Sequence, residues 1–118
     1  MISTDAKNTM LDALPATVYA ALFSGGAPGT GSEVAPATLW GSGNRPAVAL
    51  ASADAGARNP AADTPLGAIA APVTVTHVGW YSAATGGTLL GFAAHARTYA
   101  ATDTVSVPAA NAVFEILD

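Results

Sequence analysis

The sequence predicts an all-β protein: an antiparallel β-sandwich, jelly-roll-like, of six to eight short strands with one short N-terminal helix. Three observations lead there. The stretch 73–92, VTVTHVGWYSAATGGTLLGF, reads as two β-branched and aromatic arms joined by a glycine-containing turn. Other short apolar runs recur along the chain between Gly/Pro/Asn/Asp segments, with no helix between them, which argues against a parallel α/β fold. Finally, 118 residues suffice for one core but not for two ordinary ones. The expected organisation is an N-terminal helix over 1–15, acting as an arm or a cap, and a single sandwich domain over 16–118.

Ser3, Thr4 and Asp5 offer capping side chains, and Ala6 to Leu14 carries good helix formers with Met10, Leu11 and Leu14 on a common apolar stripe. Pro15 ends this helix by excluding the residue before it from the helical region. Thr17 to Ser24, TVYAALFS, is the first strand, apolar on both faces. Residues 25–43 form a long Gly/Pro/Ser/Thr loop with one short extended piece over 37–40. Asn44 to Ala51 is a second strand whose Pro46 belongs at an edge or bulge, because proline lacks the donor a central ladder needs. Residues 52–65 are a second loop and Leu66 to Ala70 a brief strand. The hairpin follows, with a first arm in which Val73, Val75, His77, Gly79 and Tyr81 alternate with Thr74, Thr76, Val78 and Trp80. Its return arm runs from Thr88 to Ala96. After a turn or extension over 97–103, Thr104 to Pro108 and Asn111 to Leu117 supply the last strands.

Composition narrows the function. The chain is 51% hydrophobic and only 10% charged, against roughly 25% charged in an ordinary soluble domain. Such a surface lacks the usual protection against association, so the protein is expected to live packed against neighbours. A net charge of -4 and a pI near 4.7, with cations only at Lys7, Arg45, Arg58 and Arg97, exclude a phosphate-binding face, so no nucleic-acid partner is expected. No run reaches the ~20 apolar residues that span a bilayer, and MISTDAKNTM lacks the basic and apolar regions of a signal peptide. The expectation is no membrane partner and synthesis in the cytoplasm. With no cysteine there are no disulfides and no thiolate metal sites.

No catalytic constellation emerges. His77 and His95 lie on the two arms of the hairpin, but a catalytic zinc usually takes three protein ligands and no carboxylate at a defined spacing completes the set. Hydrogen-bonded structural histidines are the default reading. Serines and threonines abound without a GxSxG elbow. Gly25, Gly26, Gly29 and Gly31 lack the lysine and helix N-terminus of a phosphate cradle, while Asp54 and Asp63 lack EF-hand spacing. The expectation is no catalytic residue, no metal and no cofactor. Trp80 fits the core. Trp40, in a small-residue loop, is either a plug over one end of the sandwich or an interface anchor. The helix likewise either caps its own sandwich or reaches a neighbour. The interface candidates are Met10, Leu11, Leu14, Trp40 and Arg45.

In order, the helix followed by VYAALFS, the loop GGAPGTGSEV, the hairpin VTHVGWYSAATGGTLL and the ending TVSVPAANAVFEILD resemble a family of small virion structural proteins of tailed bacteriophages, of the head-decoration, head-fibre or tail-fibre-like kind. The resemblance covers most of the chain. It departs where relatives carry an aromatic-Ala-Arg strand after Glu-Val: here stand Trp40, GSGN, then Arg45 and Pro46, so the surface over 35–46 is not carried across. The resemblance implies a β-sandwich that assembles on the virion. Its expected role is to decorate the capsid surface, binding the major capsid protein as a homo-oligomer, with a trimer as the expected state, and so stabilising the shell. The alternative is a minor tail or fibre component that touches the host, with sugars bound at Trp40, Tyr81 or Tyr99.

Overall fold

The computed structural model describes residues 2–116, and the predicted strand end at Leu117 lies outside them. Its elements run α1 (Thr4–Asp12), β1 (Thr17–Ser24), β2 (Ser32–Glu33), α2 (Pro36–Trp40), β3 (Ala47–Ala49), β4 (Ala57–Arg58), β5 (Thr64–Ala68), β6 (Val73–Tyr81), β7 (Leu89–Tyr99), β8 (Thr104–Val107) and β9 (Phe114–Glu115). The architecture is an all-β antiparallel sandwich. One layer is a five-stranded sheet in the order β2-β1-β6-β7, with β3 also paired to β1, and two-stranded ribbons β5-β8 and β4-β9 complete the strands.

β1 is central because it is apolar on both sides. It pairs with β6 along one edge, Ala20 opposite Trp80 and Leu22 opposite Val78, and with β2 and β3 along the other. Its inward residues Val18, Ala20 and Leu22 join Val48, Leu66, Ile69, Val75, Trp80 and Val105 in the core. Pairing between β6 and β7 slips between Val75 and His77. That slip explains why Val75 and Trp80 both reach the core, although strict alternation would place them on opposite faces. The hairpin turn is closed by Ser82, whose N–H donates to Thr88 O at 3.0 Å and whose Oγ accepts from Thr88 N at 2.9 Å. Gly86 and Gly87 hold φ of 62° and 75° there, a region that side-chain-bearing residues resist.

Several boundaries differ from the sequence expectation. The piece over 37–40 is a one-turn helix rather than an extended segment: Pro36 starts it in the first turn and Gly41, at φ 75°, ends it in the left-handed region. The two long loops contain the short strands β2 and β4, so the described strands number nine rather than six to eight, with a second helix. Two-residue strands are set by pairing with a distant segment and leave no periodic pattern to read. β7 runs to Tyr99, three residues beyond the expected Ala96, because Arg97 and Tyr99 pair with Val75 and Val73. The last strand contracts to Phe114–Glu115, where it meets β4.

Candidate functional site

The outward face of the five-stranded sheet carries an aromatic ledge. Register builds it: Phe23 stands beside His77 and Glu33, Gly79 beside Ala21 and Phe92, and Tyr81 beside Tyr19 and Leu89. Residues opposite one another in a ladder share a face, so these side chains crowd onto one surface. The Phe23 and Tyr81 rings stack at 6.5 Å with 14° between their planes, and His77 meets Phe92 edge-on at 6.2 Å. Gly79 is the notch that lets them close: a methyl group added there would sit 2.7 Å from Phe23 Cε1 and 3.1 Å from Leu89 Cδ1. Phe23 is thereby buried, whereas Phe92 remains 54% exposed.

Arg45 closes one end of the ledge. Its guanidinium lies 3.7 Å from the centre of the Tyr81 ring. Nε and Nη2 donate to Glu33 Oε2 and Oε1 at 2.8 and 2.9 Å, and Nη1 donates to Ala83 O and Gly86 O at 3.0 and 2.7 Å. A planar fork satisfied in this way ties loop, turn and sheet together. The hydrogen bond to Glu33 raises the Arg45 pKa from its ordinary value against the opposing effect of burial.

The other sequence candidates are spread out. Met10 projects from α1 at 47% exposure, while Leu11 is buried and Leu14 half-buried. Arg58 fastens that helix: Nη1 donates to Leu11 O and Leu14 O at 3.0 and 2.8 Å, and Nε donates to Ala51 O at 2.9 Å. Its charge sits at the negative end of the helix dipole. Asn8 Oδ1 and Asp12 Oδ1 accept from Gly56 N and Ala53 N, so α1 lies along its own β4 loop. Trp40 is half-buried against the core and lies over Gly67, where an added methyl would come within 3.2 Å of its Cε3. Met10 is thus exposed on α1, whereas Arg45 and Leu11 are enclosed by this chain.

His77 and His95 face opposite sides of the sheet. His77 Nδ1 lies 3.1 Å from Thr76 Oγ1 on the ledge side, and His95 Nε2 lies 2.8 Å from Tyr99 Oη on the inner side. Among the described residues no group of three or more His, Cys, Asp or Glu could hold a metal ion. In the glycine loop, Gly26 N donates to Thr76 Oγ1, and Thr30 N and Gly31 N donate to Ala27 O. Those amides are already engaged. Asp63 Oδ1 accepts from Ala109 N at 2.8 Å.

Sequence reading missed Phe23, Glu33, Leu89 and Phe92 as members of one surface. They come from three separate strands, β1, β2 and β7, and only the register of β2-β1-β6-β7 brings them together. The one local signal was Phe92, a large aromatic followed by Ala93 and Ala94.

A family model described as "Podophage GP4 fiber I protein gp80" matches residues 2–115, nearly the whole chain. No curated protein matches the chain significantly.

Proposed function

The chain belongs to the podophage GP4 fiber I protein family, and on that premise we propose that this phage virion structural protein works by adhesion, docking on the outer head shell as a homo-oligomer. The observation that carries this reading is the aromatic ledge. An outward sheet face bearing an exposed Phe92 beside His77 and Leu89, on a chain with only 10% charged residues, resembles the apolar centre of an interface and not an ordinary solvated sheet face. Met10 gives a second apolar contact point on α1. The mechanism is mass action: a protein that binds the assembled shell across its subunits favours the assembled state. The partners in this reading are the major capsid protein and further copies of the chain, with a trimer as the working state.

The word fiber in the family description favours a second reading, in which the protein is part of a fibre on head or tail; contact with the host is the role that reading would give it. Sugar recognition by Trp40, Tyr81 or Tyr99 has little support: Tyr99 is buried, Trp40 packs half-buried over Gly67, and one face of Tyr81 is occupied by Arg45.

Imaging particles with and without the protein separates the readings. Loss of density from the capsid surface supports shell docking, and loss from a tail or fibre supports the second reading. Unchanged particles overturn both. Phe92→Ser adds a test of the ledge: the variant should stay folded yet be depleted from particles at least several-fold, and normal incorporation would remove the ledge from the interface.

A further inference from the structure

On the opposite side of the sheet from the ledge, a half-open cleft of about 310 Å³ runs between β7 and β8. Its floor is apolar, with Leu22, Leu66, Val78, Trp80, Val105 and Val107, and its rim carries His95 and Arg97, with the buried Tyr99 behind them. Good packing leaves few voids larger than a water molecule. This space is about twice the ~150 Å³ of a cavity that admits a benzene-sized guest.

Arg97 is the cation of the rim, while Asp103 lies near enough to act on Tyr99 from the other direction. Arg97 is exposed, with its guanidinium 4.9 Å from the centre of the Tyr99 ring, and it forms no ion pair with a described residue. By contrast, Arg45 pairs with Glu33 and Arg58 lies near Asp12. His95 and the Tyr99 hydroxyl, 2.8 Å apart, add polar atoms beside it. The cleft is also flanked by strand edges: among the described residues β7 ends the five-stranded sheet and β8 pairs with β5 alone. Rows of unpaired N–H and C=O groups suit a polypeptide backbone better than a compact small molecule.

We propose that this cleft receives an extended segment of a partner protein in which an aliphatic side chain stands next to an Asp or Glu. The aliphatic group fills the cavity over Trp80 and Val105, and the carboxylate pairs with Arg97. Charge complementarity selects this chemistry, since a basic segment would bring like charge against Arg97. The site is distinct from the aromatic ledge, so a particle protein could be gripped on both faces of the sheet.

The test uses the full chain, isotope-labelled, titrated with the blocked pentapeptide acetyl-Ser-Leu-Glu-Leu-Ser-amide and with the same peptide carrying Lys in place of Glu. The expected result is saturable chemical-shift change at millimolar acidic peptide, confined to Ala93, His95, Arg97, Tyr99, Val105 and Val107 and the Trp80 indole, with at least 10-fold weaker binding of the Lys peptide. Arg97→Gln should weaken the acidic peptide about tenfold, as expected for loss of one charge-assisted contact. Ala93→Leu, which places bulk at the cleft wall, should block both peptides while the spectrum elsewhere stays native. Equal binding of the two peptides, shifts centred on Phe92, unaltered affinity in Arg97→Gln, or no saturable shift overturns the proposal. Because Arg97 is exposed, its replacement leaves the fold intact and keeps the test independent of the Ala93 variant.

Discussion

Replacing Arg45 by alanine is the sharpest test of how this fold is held. The substitution removes four side-chain hydrogen bonds, two to Glu33 and one each to Ala83 O and Gly86 O, together with the guanidinium 3.7 Å above the Tyr81 ring. Hydrogen bonds to charged groups contribute about 1.5–3 kcal/mol apiece, but these four share one guanidinium and do not add. Breaking a buried ion pair by removing one partner costs about 3–5 kcal/mol. The Glu33 side chain is 22% exposed and can regain some water, which places the loss near the lower end, about 3 kcal/mol. For a chain of this length that corresponds to a fall in Tm of about 12 °C. The assay is urea unfolding alongside a thermal scan, each at two protein concentrations so that dissociation of any oligomer is separated from unfolding. A cycle with Glu33→Gln should give a coupling energy above about 1 kcal/mol. The amides over 83–88 should exchange faster in Arg45→Ala, since the turn loses both carbonyl contacts. A loss below about 1 kcal/mol, or simple additivity with Glu33→Gln, would refute the clamp.

Three further outcomes follow from the same geometry. Gly79→Ala drives a methyl to 2.7 Å from Phe23 and should cost about 1–3 kcal/mol by urea unfolding, with altered Phe23 and Leu89 resonances; a neutral effect would mean that the notch is not tightly filled. Arg58→Ala leaves Leu11 O and Leu14 O without their cation and should loosen α1, read as amide exchange over 4–14 rising more than exchange in β1 and β6. Burial raises the Tyr99 pKa above 10.0, with Arg97 opposing and Asp103 adding to the rise, so the folded state holds the phenol proton more tightly than the unfolded chain. That stabilisation is complete below pH 10 and is lost as the pH climbs from 10 through the raised value. Tyr99→Phe should therefore flatten the alkaline limb of stability, and an unchanged limb would reject the linkage.

What the sequence determined by itself was the local grammar. The span of β1, the serine cap of α1, the place of Pro46 just ahead of β3 and the glycine turn of the β6-β7 hairpin each depend on neighbours within a few residues, and their patterns are readable. Its order of motifs also carried the resemblance to phage virion structural proteins that the family match supports. What only the tertiary structure decided was everything that depends on register. Strands of two residues, such as β2 and β4, exist because a distant segment pairs with them. The slip between Val75 and His77 moves one half of β6 onto a different face, and no alternation rule foresees it. Arg45, an interface candidate by sequence, is enclosed by Glu33, Tyr81 and the hairpin turn of its own chain. The hairpin over 73–92 is thus legible as a unit, while the faces it presents, one to the ledge and one to the cleft, are set by β1 and β8 from elsewhere in the chain.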